Sequence, residues 1–186
     1  MSSILDNPAI RGIALPMTVT QYHQMGNAGI LVGNTELIRG YVFEKMIKSP
    51  VHSWIVQRMA SWLRDVVPRE HYVRQEQPLT LDDSEPEPDL AVVAGNVDLH
   101  RNHHPHTALL VIEVSISSLE LDREKTRIYA KAGIQEYAII VPTTESVELF
   151  RGADGERYRE AVRLDGNGSL EFAGLPGYAL PIRDLF

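Results

Sequence analysis

The sequence predicts an α+β protein with a mixed central sheet. Three largely apolar runs of strand length lie at residues 89–95, 109–114 and 137–142, and such runs are typical of strands buried on both faces of a sheet. A helical pattern separates the second run from the third, and short apolar runs with frequent turn signals follow. Strands, one helix and then further strands form the order expected of an α+β fold.

Two helices and a hairpin are predicted before Pro68. Thr18 is the expected N-cap of a short helix, and residues 35–47 read as two strands joined by an Arg-Gly turn. A longer helix begins after Ser49, a favourable N-cap residue, with Pro50 at its first position, and Pro68 ends it. Its predicted apolar stripe consists of Val51, Ile55, Met59, Trp62 and Val66.

The remaining elements follow from the same patterns. Residues 72–81 are predicted as a strand, and an acidic, proline-containing segment leads from it to the run at 89–95. Turn signals at regular intervals after residue 142 predict added antiparallel strands at the C-terminus. We expect residues 1–186 to form one domain, with a loosely ordered segment at residues 1–16.

Composition limits the functional classes. The formal net charge of −7 argues against attachment to nucleic acid through an overall basic surface, and the absence of cysteine excludes disulfides and thiolate metal sites. The sequence has neither a signal-peptide pattern nor an apolar run of roughly 18 residues. We therefore expect a cytoplasmic protein with no membrane partner.

A helix with clear ends is predicted at residues 118–132. Ser117 is the expected N-cap, Glu120 completes a capping box, and Gly133 is expected to end the helix. Its core-facing stripe is formed by Leu121, Ile128 and Ala132.

Two charged residues interrupt these apolar patterns. Glu113 lies within a buried strand, where an unpaired carboxylate is costly. Lys125 occupies the missing i+4 position of the helix stripe. Its ammonium group either extends to solvent or points at a negative group, and Glu113 is the nearest candidate along the chain.

Asp89 completes a chemically meaningful set with these two residues. It begins one predicted strand, Glu113 closes the next, and antiparallel pairing of the two strands would bring the carboxylates together. Two carboxylates can hold Mg²⁺ or Mn²⁺ with retained waters. A nearby lysine can orient or deprotonate an attacking water or stabilise charge on a phosphate. Two acids and a lysine around a metal are the minimum set for hydrolysing a phosphodiester.

Each of these residues also has a structural interpretation. Asp89 is suited to cap a turn. Glu113 is a candidate for a structural ion pair with Arg123 or Arg127. Lys125 can be one of the many lysines whose head groups reach solvent.

The chain resembles the Uma-two family of restriction-endonuclease-like proteins, within the PD-(D/E)xK nuclease superfamily. The resemblance is carried by EPEPDLAVV at residues 85–93, LLVIEVSISS at 109–118 and LDREKTRIYAKAGIQEYAIIV at 121–141. The E-L-I-x-G strand of the family is matched at Glu36–Gly40, and its Pro-x-His segment at residues 50–52.

This resemblance implies a restriction-endonuclease-like fold, a mixed central sheet flanked by helices. It also implies an Mg²⁺-dependent or Mn²⁺-dependent endonuclease acting on DNA, with Asp89 and Glu113 as the metal-binding acids. The lysine that the superfamily places two residues after the glutamate is Ser115 here, and the resemblance implies that Lys125 replaces it. Asp122 corresponds to the usual aspartate before that lysine. A homodimer is expected, because two sites could then address two strands.

Further residues are candidates for the same cleft. Asp122 is either part of the site or a member of an ion pair on the helix surface. His52 is either a structural histidine or a residue lining the cleft. The strand acids Glu36, Glu44 and Glu76 could each face the metal.

A second cluster consists of His100, His103, His104 and His106. Loop histidines this close together can bind Zn²⁺ or Ni²⁺ opportunistically, but no acid or cysteine completes a tetrahedral set. The sequence leaves a metal role for this loop open.

Three functions remain compatible with the sequence. The first is an Mg²⁺-dependent endonuclease, the second is a nuclease-fold binding or assembly module that does not cut, and the third is a phosphodiesterase acting on small nucleotides. Close approach of the two acids and the lysine would favour the first or third function. A separated set would favour the second.

Overall fold

The computed structural model describes residue 9 and residues 13–186, so the prediction for residues 1–16 lies mostly outside the described residues. The described α-helices are α1 (Val19–Asn27), α2 (Pro50–Val66) and α3 (Leu119–Lys131). The described strands are β1 (Thr35–Ile38), β2 (Tyr41–Glu44), β3 (His71–Gln75), β4 (Leu90–Ala94), β5 (Leu110–Val114), β6 (Glu136–Val141), β7 (Ser146–Asp154), β8 (Arg157–Leu164), β9 (Ser169–Glu171) and β10 (Ala179–Pro181). None of the helices formed by the described residues combines the length and apolar character needed to cross a membrane.

Six strands form a mixed sheet in the order β3-β4-β5-β6-β7-β8. β5 and β6 run parallel, with α3 as their connection, and every other neighbouring pair in this sheet is antiparallel. The hairpin β1–β2 and the pair β9–β10 form two smaller antiparallel sheets. The predicted α+β class, the mixed central sheet and the antiparallel C-terminal strands are therefore confirmed.

The two longer helices cover opposite faces of the sheet. Side chains alternate between the faces along each strand. Ile112 packs in the cluster that contains Met59 of α2, whereas Val111 packs in the cluster that contains Tyr129 of α3. The side chain of Glu113 shares a face with that of Val111, so the alternation places this carboxylate under α3.

The N-terminus of α2 follows the predicted pattern, but its buried face is rotated. Ser49 is the N-cap, and its side chain accepts a hydrogen bond from the backbone N–H of His52. Val51 was predicted to be in the core and is 55% exposed. The buried residues are instead His52, Ile55, Val56, Met59, Ala60 and Leu63. This rotation turns His52 towards the sheet.

Strand β3 is shorter than predicted. Residues 72–81 were expected to be extended throughout, but the strand ends at Gln75. Glu76 has a φ of 53°, which lies in the left-handed region, and its backbone N–H donates to the oxygen of Asp89, the residue before β4. Pro78 follows, and proline cannot donate a ladder hydrogen bond.

The start of α3 also differs from the prediction. The N-cap is Ser118 instead of Ser117, and no side chain caps the helix, so the predicted capping box with Glu120 is absent. The hydroxyl of Ser118 instead donates to the carboxylate of Asp122 at 2.6 Å. At the other end, Gly133 has the positive φ expected of the residue that follows a helix.

Candidate active site

Antiparallel pairing of β4 with β5 brings Asp89 and Glu113 together. Leu90 lies opposite Ile112, so the residue before β4 adjoins the penultimate residue of β5. The backbone N–H of Asp89 donates to Glu113 Oε2 at 3.1 Å. The N–H of Val114 donates to Asp89 Oδ2 at 2.7 Å. The strand backbone therefore fixes both carboxylates, which is the juxtaposition expected for an antiparallel pair.

Lys125 lies at the centre of a group of carboxylates. Its Nζ is 3.0 Å from Glu113 Oε1, 3.0 Å from Glu36 Oε1 and 3.4 Å from Asp122 Oδ1. Lys125 is buried, so its ammonium group does not reach solvent. Asp122 is buried as well and is not part of a surface ion pair.

Glu113 does not pair with either arginine considered from the sequence. Arg123 pairs with Glu148 and with the exposed Glu120, and Arg127 pairs with Glu156. The cationic partner of Glu113 is Lys125, and the hydroxyl of Tyr129 also donates to Glu113 Oε1, at 3.2 Å.

The group carries more negative than positive charge. Three buried carboxylates, those of Glu36, Glu113 and Asp122, lie around the ammonium group of Lys125, and the buried carboxylate of Asp89 is next to Glu113. Burial raises the pKa of Glu113 to about 8. The three other carboxylates also raise it, whereas the positive charge of Lys125 lowers it. Burial alone would lower the pKa of Lys125, but the carboxylates of Glu113, Glu36 and Asp122 raise it. The ammonium group therefore stays charged, and Glu113 keeps its proton up to about pH 8 instead of adding a further negative charge.

His52 holds Asp89 from the other face of the sheet. Its Nε2 lies 3.2 Å from the Asp89 carboxylate. Burial alone would raise the pKa of Asp89, but His52 and the N–H of Val114 lower it. Asp89 is thus an ionised acceptor to which Nε2 donates. Nδ1 of His52 is buried and finds no hydrogen-bond partner among the described residues.

These residues form the floor of a cleft of about 110 Å³. Its lining includes Glu36, His52, Asp89, Glu113, Asp122 and Lys125. Glu44 also contributes to the lining. Glu76 does not, and its carboxylate is paired with Lys48 at 2.7 Å. The structure therefore brings together every predicted site residue except Glu76.

Sequence reasoning missed two contributors to this site. Tyr129 lies one helical turn after Lys125 on the same face, so an i+4 comparison could have identified it. Lys45 lines the cleft and pairs with Glu87 at 2.6 Å. No sequence pattern indicated this pair, because it depends on how the segment after β2 folds back.

The donor set fits a cation held by two carboxylates. Across residue 9 and residues 13–186, no three His, Cys, Asp or Glu side chains are arranged to hold a metal ion. Mg²⁺ is commonly held by one or two carboxylates, with water and substrate phosphate as its other ligands. The adjacent hard oxygen donors of Asp89 and Glu113 match that requirement.

The histidine loop makes contacts within the protein. Nδ1 of His106 lies 2.7 Å from the backbone oxygen of Thr80, and Nδ1 of His104 lies 3.2 Å from the Arg74 guanidinium group. Among the described residues, no three His, Cys, Asp or Glu side chains of this loop and its surroundings are arranged to hold a metal ion.

Comparisons with known proteins agree with the fold. A sequence model of the Uma2 family, described as "Putative restriction endonuclease", matches residues 19–183. The crystal structure of a "putative nuclease" from Anabaena variabilis is similar with a TM-score of 0.73 and 20% identity, covering 92% of this chain and 98% of that chain. No curated protein matches the sequence. The predicted nuclease-like fold and the family resemblance are confirmed, and the matches support a nuclease function.

Proposed function

We propose, from the premise that this chain belongs to the Uma2 family, that the protein is a metal-dependent endonuclease that hydrolyses DNA phosphodiester bonds. The supporting observation is the excess negative charge at the floor of the cleft. Buried charges must be paired or must coordinate metals. Lys125 is shared by three carboxylates, and Glu113 keeps its proton below about pH 8; a divalent cation between Asp89 and Glu113 would supply the positive charge that releases this proton.

Asp89 and Glu113 are the proposed ligands of Mg²⁺ or Mn²⁺. A cation bound there would lower the pKa of a coordinated water and offset charge on the phosphate. Both carboxylates are already oriented by backbone N–H groups. His52 further orients Asp89, and Tyr129 orients Glu113. Ligand groups held in this way need little rearrangement when the cation binds.

Lys125 is proposed to stabilise negative charge in the transition state. Its raised pKa means that it holds its proton near neutral pH, so it is a poor general base. A fixed, buried ammonium group is well suited to stabilise the negative charge that develops on phosphoryl oxygens. Of the two roles considered from the sequence, the structure favours charge stabilisation over deprotonation of water.

The size of the cleft bears on the alternative of a small-nucleotide phosphodiesterase. The volume of about 110 Å³ is well below the roughly 300–1,000 Å³ typical of sites that enclose a small ligand. A cleft of this size suits one phosphate group of a longer chain better than a whole free nucleotide. The close acid–acid–lysine set likewise favours a cutting enzyme over a binding module that does not cut.

The test is cleavage of supercoiled plasmid DNA by purified protein. We expect nicking or linearisation with Mg²⁺ or Mn²⁺, none in excess EDTA, and none by Glu113→Gln. Glu148→Gln is the matched control, because Glu148 is also ion-paired and only 15% exposed but lies outside the cleft. Equal cutting by Glu113→Gln and the parent would refute the site. Metal-dependent binding without cutting would favour the binding module.

Other aspects of the proposal concern organisation. A homodimer, a single domain and a cytoplasmic location stay predictions. Sedimentation velocity of the full chain, with and without DNA, measures the oligomeric state.

A further inference from the structure

The floor of the cleft lies deep within the protein. Asp89 is 7% exposed, and Glu113 and Lys125 are each 4% exposed. A phosphate group of the substrate must therefore enter the cleft from the protein surface to reach these residues. An unpaired strand can bend its backbone into such an opening, whereas a duplex is stiff over many base pairs.

The rim of the cleft has an unusual apolar element. Met46 and Ile47, in the segment between β2 and α2, both line the cleft and are 61% and 99% exposed. Ile116, between β5 and α3, lines the same cleft and is also exposed. Single exposed apolar residues are ordinary, but three on the rim of one acidic cleft indicate a surface that contacts a partner. We call Met46, Ile47 and Ile116 the apolar rim.

The segment that carries two of these residues is anchored, and its charges are already paired. Lys45, before Met46, pairs with Glu87 at 2.6 Å, and Lys48, after Ile47, pairs with Glu76 at 2.7 Å. The backbone N–H of Lys45 also donates to the oxygen of Asn34. Because both ammonium groups have partners within the protein, the segment presents apolar side chains more than free positive charge. Its contact with nucleic acid would therefore be made with bases instead of phosphates.

We propose that the apolar rim packs against unpaired bases next to the phosphate at Asp89 and Glu113, so that the substrate is single-stranded or locally unpaired DNA. Isoleucine and methionine are among the side chains that insert between bases, and unstacking a paired base for such an insertion costs free energy that an unpaired base does not require. Because the apolar rim borders the candidate catalytic cleft, the DNA strand whose phosphate enters the cleft is the partner that would contact the rim. This inference rests on the proposed function, because it identifies the class of substrate for the same cleft.

The test is binding, measured separately from cutting. Fluorescein-labelled oligonucleotides of one sequence would be prepared as a single strand, a perfect duplex and a duplex with an unpaired bulge. Anisotropy titrations would be run in Ca²⁺ instead of Mg²⁺ to limit cleavage. We expect the single strand and the bulged duplex to bind about a hundredfold more tightly than the perfect duplex. Ile47→Ser should weaken their binding about tenfold and leave perfect-duplex binding unchanged.

Val51→Ser is the matched control. Val51 is an exposed apolar residue four positions along the chain, 55% exposed against 99% for Ile47, and it does not line the cleft. The Val51→Ser variant should bind every oligonucleotide with the same affinity as the parent protein. The fluorescence of a 2-aminopurine base placed in the oligonucleotide next to the bound phosphate should change when the parent protein binds and should not change when the Ile47→Ser variant binds.

Several results would overturn the inference. These are equal affinity for single strand and duplex, equal effects of Ile47→Ser and Val51→Ser, or no binding to any oligonucleotide. Conversion of a dimer to a monomer by Ile47→Ser, with single-strand affinity unchanged, would instead assign the rim to contact between copies of the chain. If binding depends on Ile47 but no oligonucleotide is cut in Mn²⁺, the proposed nuclease activity fails while the base contact stands.

Discussion

The raised pKa of Glu113 gives the substitution Glu113→Gln a measurable effect on stability, separate from its effect on cleavage. The carboxylate is buried near three other acids, and it shares the cation Lys125 with Glu36 and Asp122. Glutamine keeps the shape of the side chain and removes the charge. Lys125 keeps Glu36 and Asp122 as partners, so the substitution leaves no isolated buried cation.

The magnitude follows from the difference between the ordinary pKa of 4.5 and the folded value of about 8. At about 1.4 kcal/mol for each pH unit, the ionised Glu113 lowers the free energy of unfolding by at most about 5 kcal/mol. Because the folded pKa is raised, the stability contributed by Glu113 is complete below pH 4.5 and is lost as the pH rises through about 8. The pKa of Asp89 is lowered, so its ionised form stabilises the fold at every pH above 3.8, and Lys125 stays protonated. Neither group therefore changes the stability between pH 4.5 and about 8.

The assay is urea unfolding in EDTA at about pH 5.5 and about pH 8.5. The parent should lose stability relative to Glu113→Gln as the pH rises, and the variant should be the more stable of the two at the higher pH. Saturating Mg²⁺ at the higher pH should restore stability to the parent more than to the variant, because a ligand that binds the folded state stabilises it. Parallel pH dependences of parent and variant would refute the reasoning.

Three further predictions concern neighbouring parts of the structure. Lys125→Met should abolish cleavage and destabilise the metal-free protein by about 3–5 kcal/mol at about pH 7.5, because buried carboxylates lose their cation; an unchanged urea midpoint would contradict this. His52→Ala should raise the Mg²⁺ concentration needed for half-maximal cleavage about tenfold, because Asp89 loses its orienting partner. An unaltered metal titration would show that His52 does not position the ligand. Met59→Ala should cost about 2–5 kcal/mol in urea unfolding, because it leaves a cavity between α2 and the sheet; a negligible cost would argue against that packing.

Local features of the fold could be predicted because their physical causes are local. Thr18 caps α1 through a capping box with Gln21, and Ser49 with Pro50 begins α2. The apolar runs became the central strands because only a sheet covered on both faces removes them from water. The hairpin turn at Arg39 and Gly40 was also predicted; both residues have positive φ there, a conformation that glycine adopts readily.

The errors lie where two local signals compete. Ser117 and Ser118 are both acceptable N-caps, and the contact of Ser118 with Asp122 accompanies the choice of the second. Residues 76–81 contain enough apolar character for a strand, but the backbone turns at Glu76. Val51 fits the helical stripe, and yet packing of α2 against the sheet favours a face rotated by one residue.

Glu113 and Lys125 could be recognised as exceptional from the sequence, because a charge within an apolar pattern is costly unless it is paired. Which groups surround them depends on the tertiary structure. Glu36 reaches Lys125 because Leu37 pairs with the backbone of Glu85, and His52 reaches Asp89 because α2 packs with that side inward. These partners are tens of residues apart along the chain. Their approach depends on the packing of whole elements against one another, which no local spacing of residues encodes.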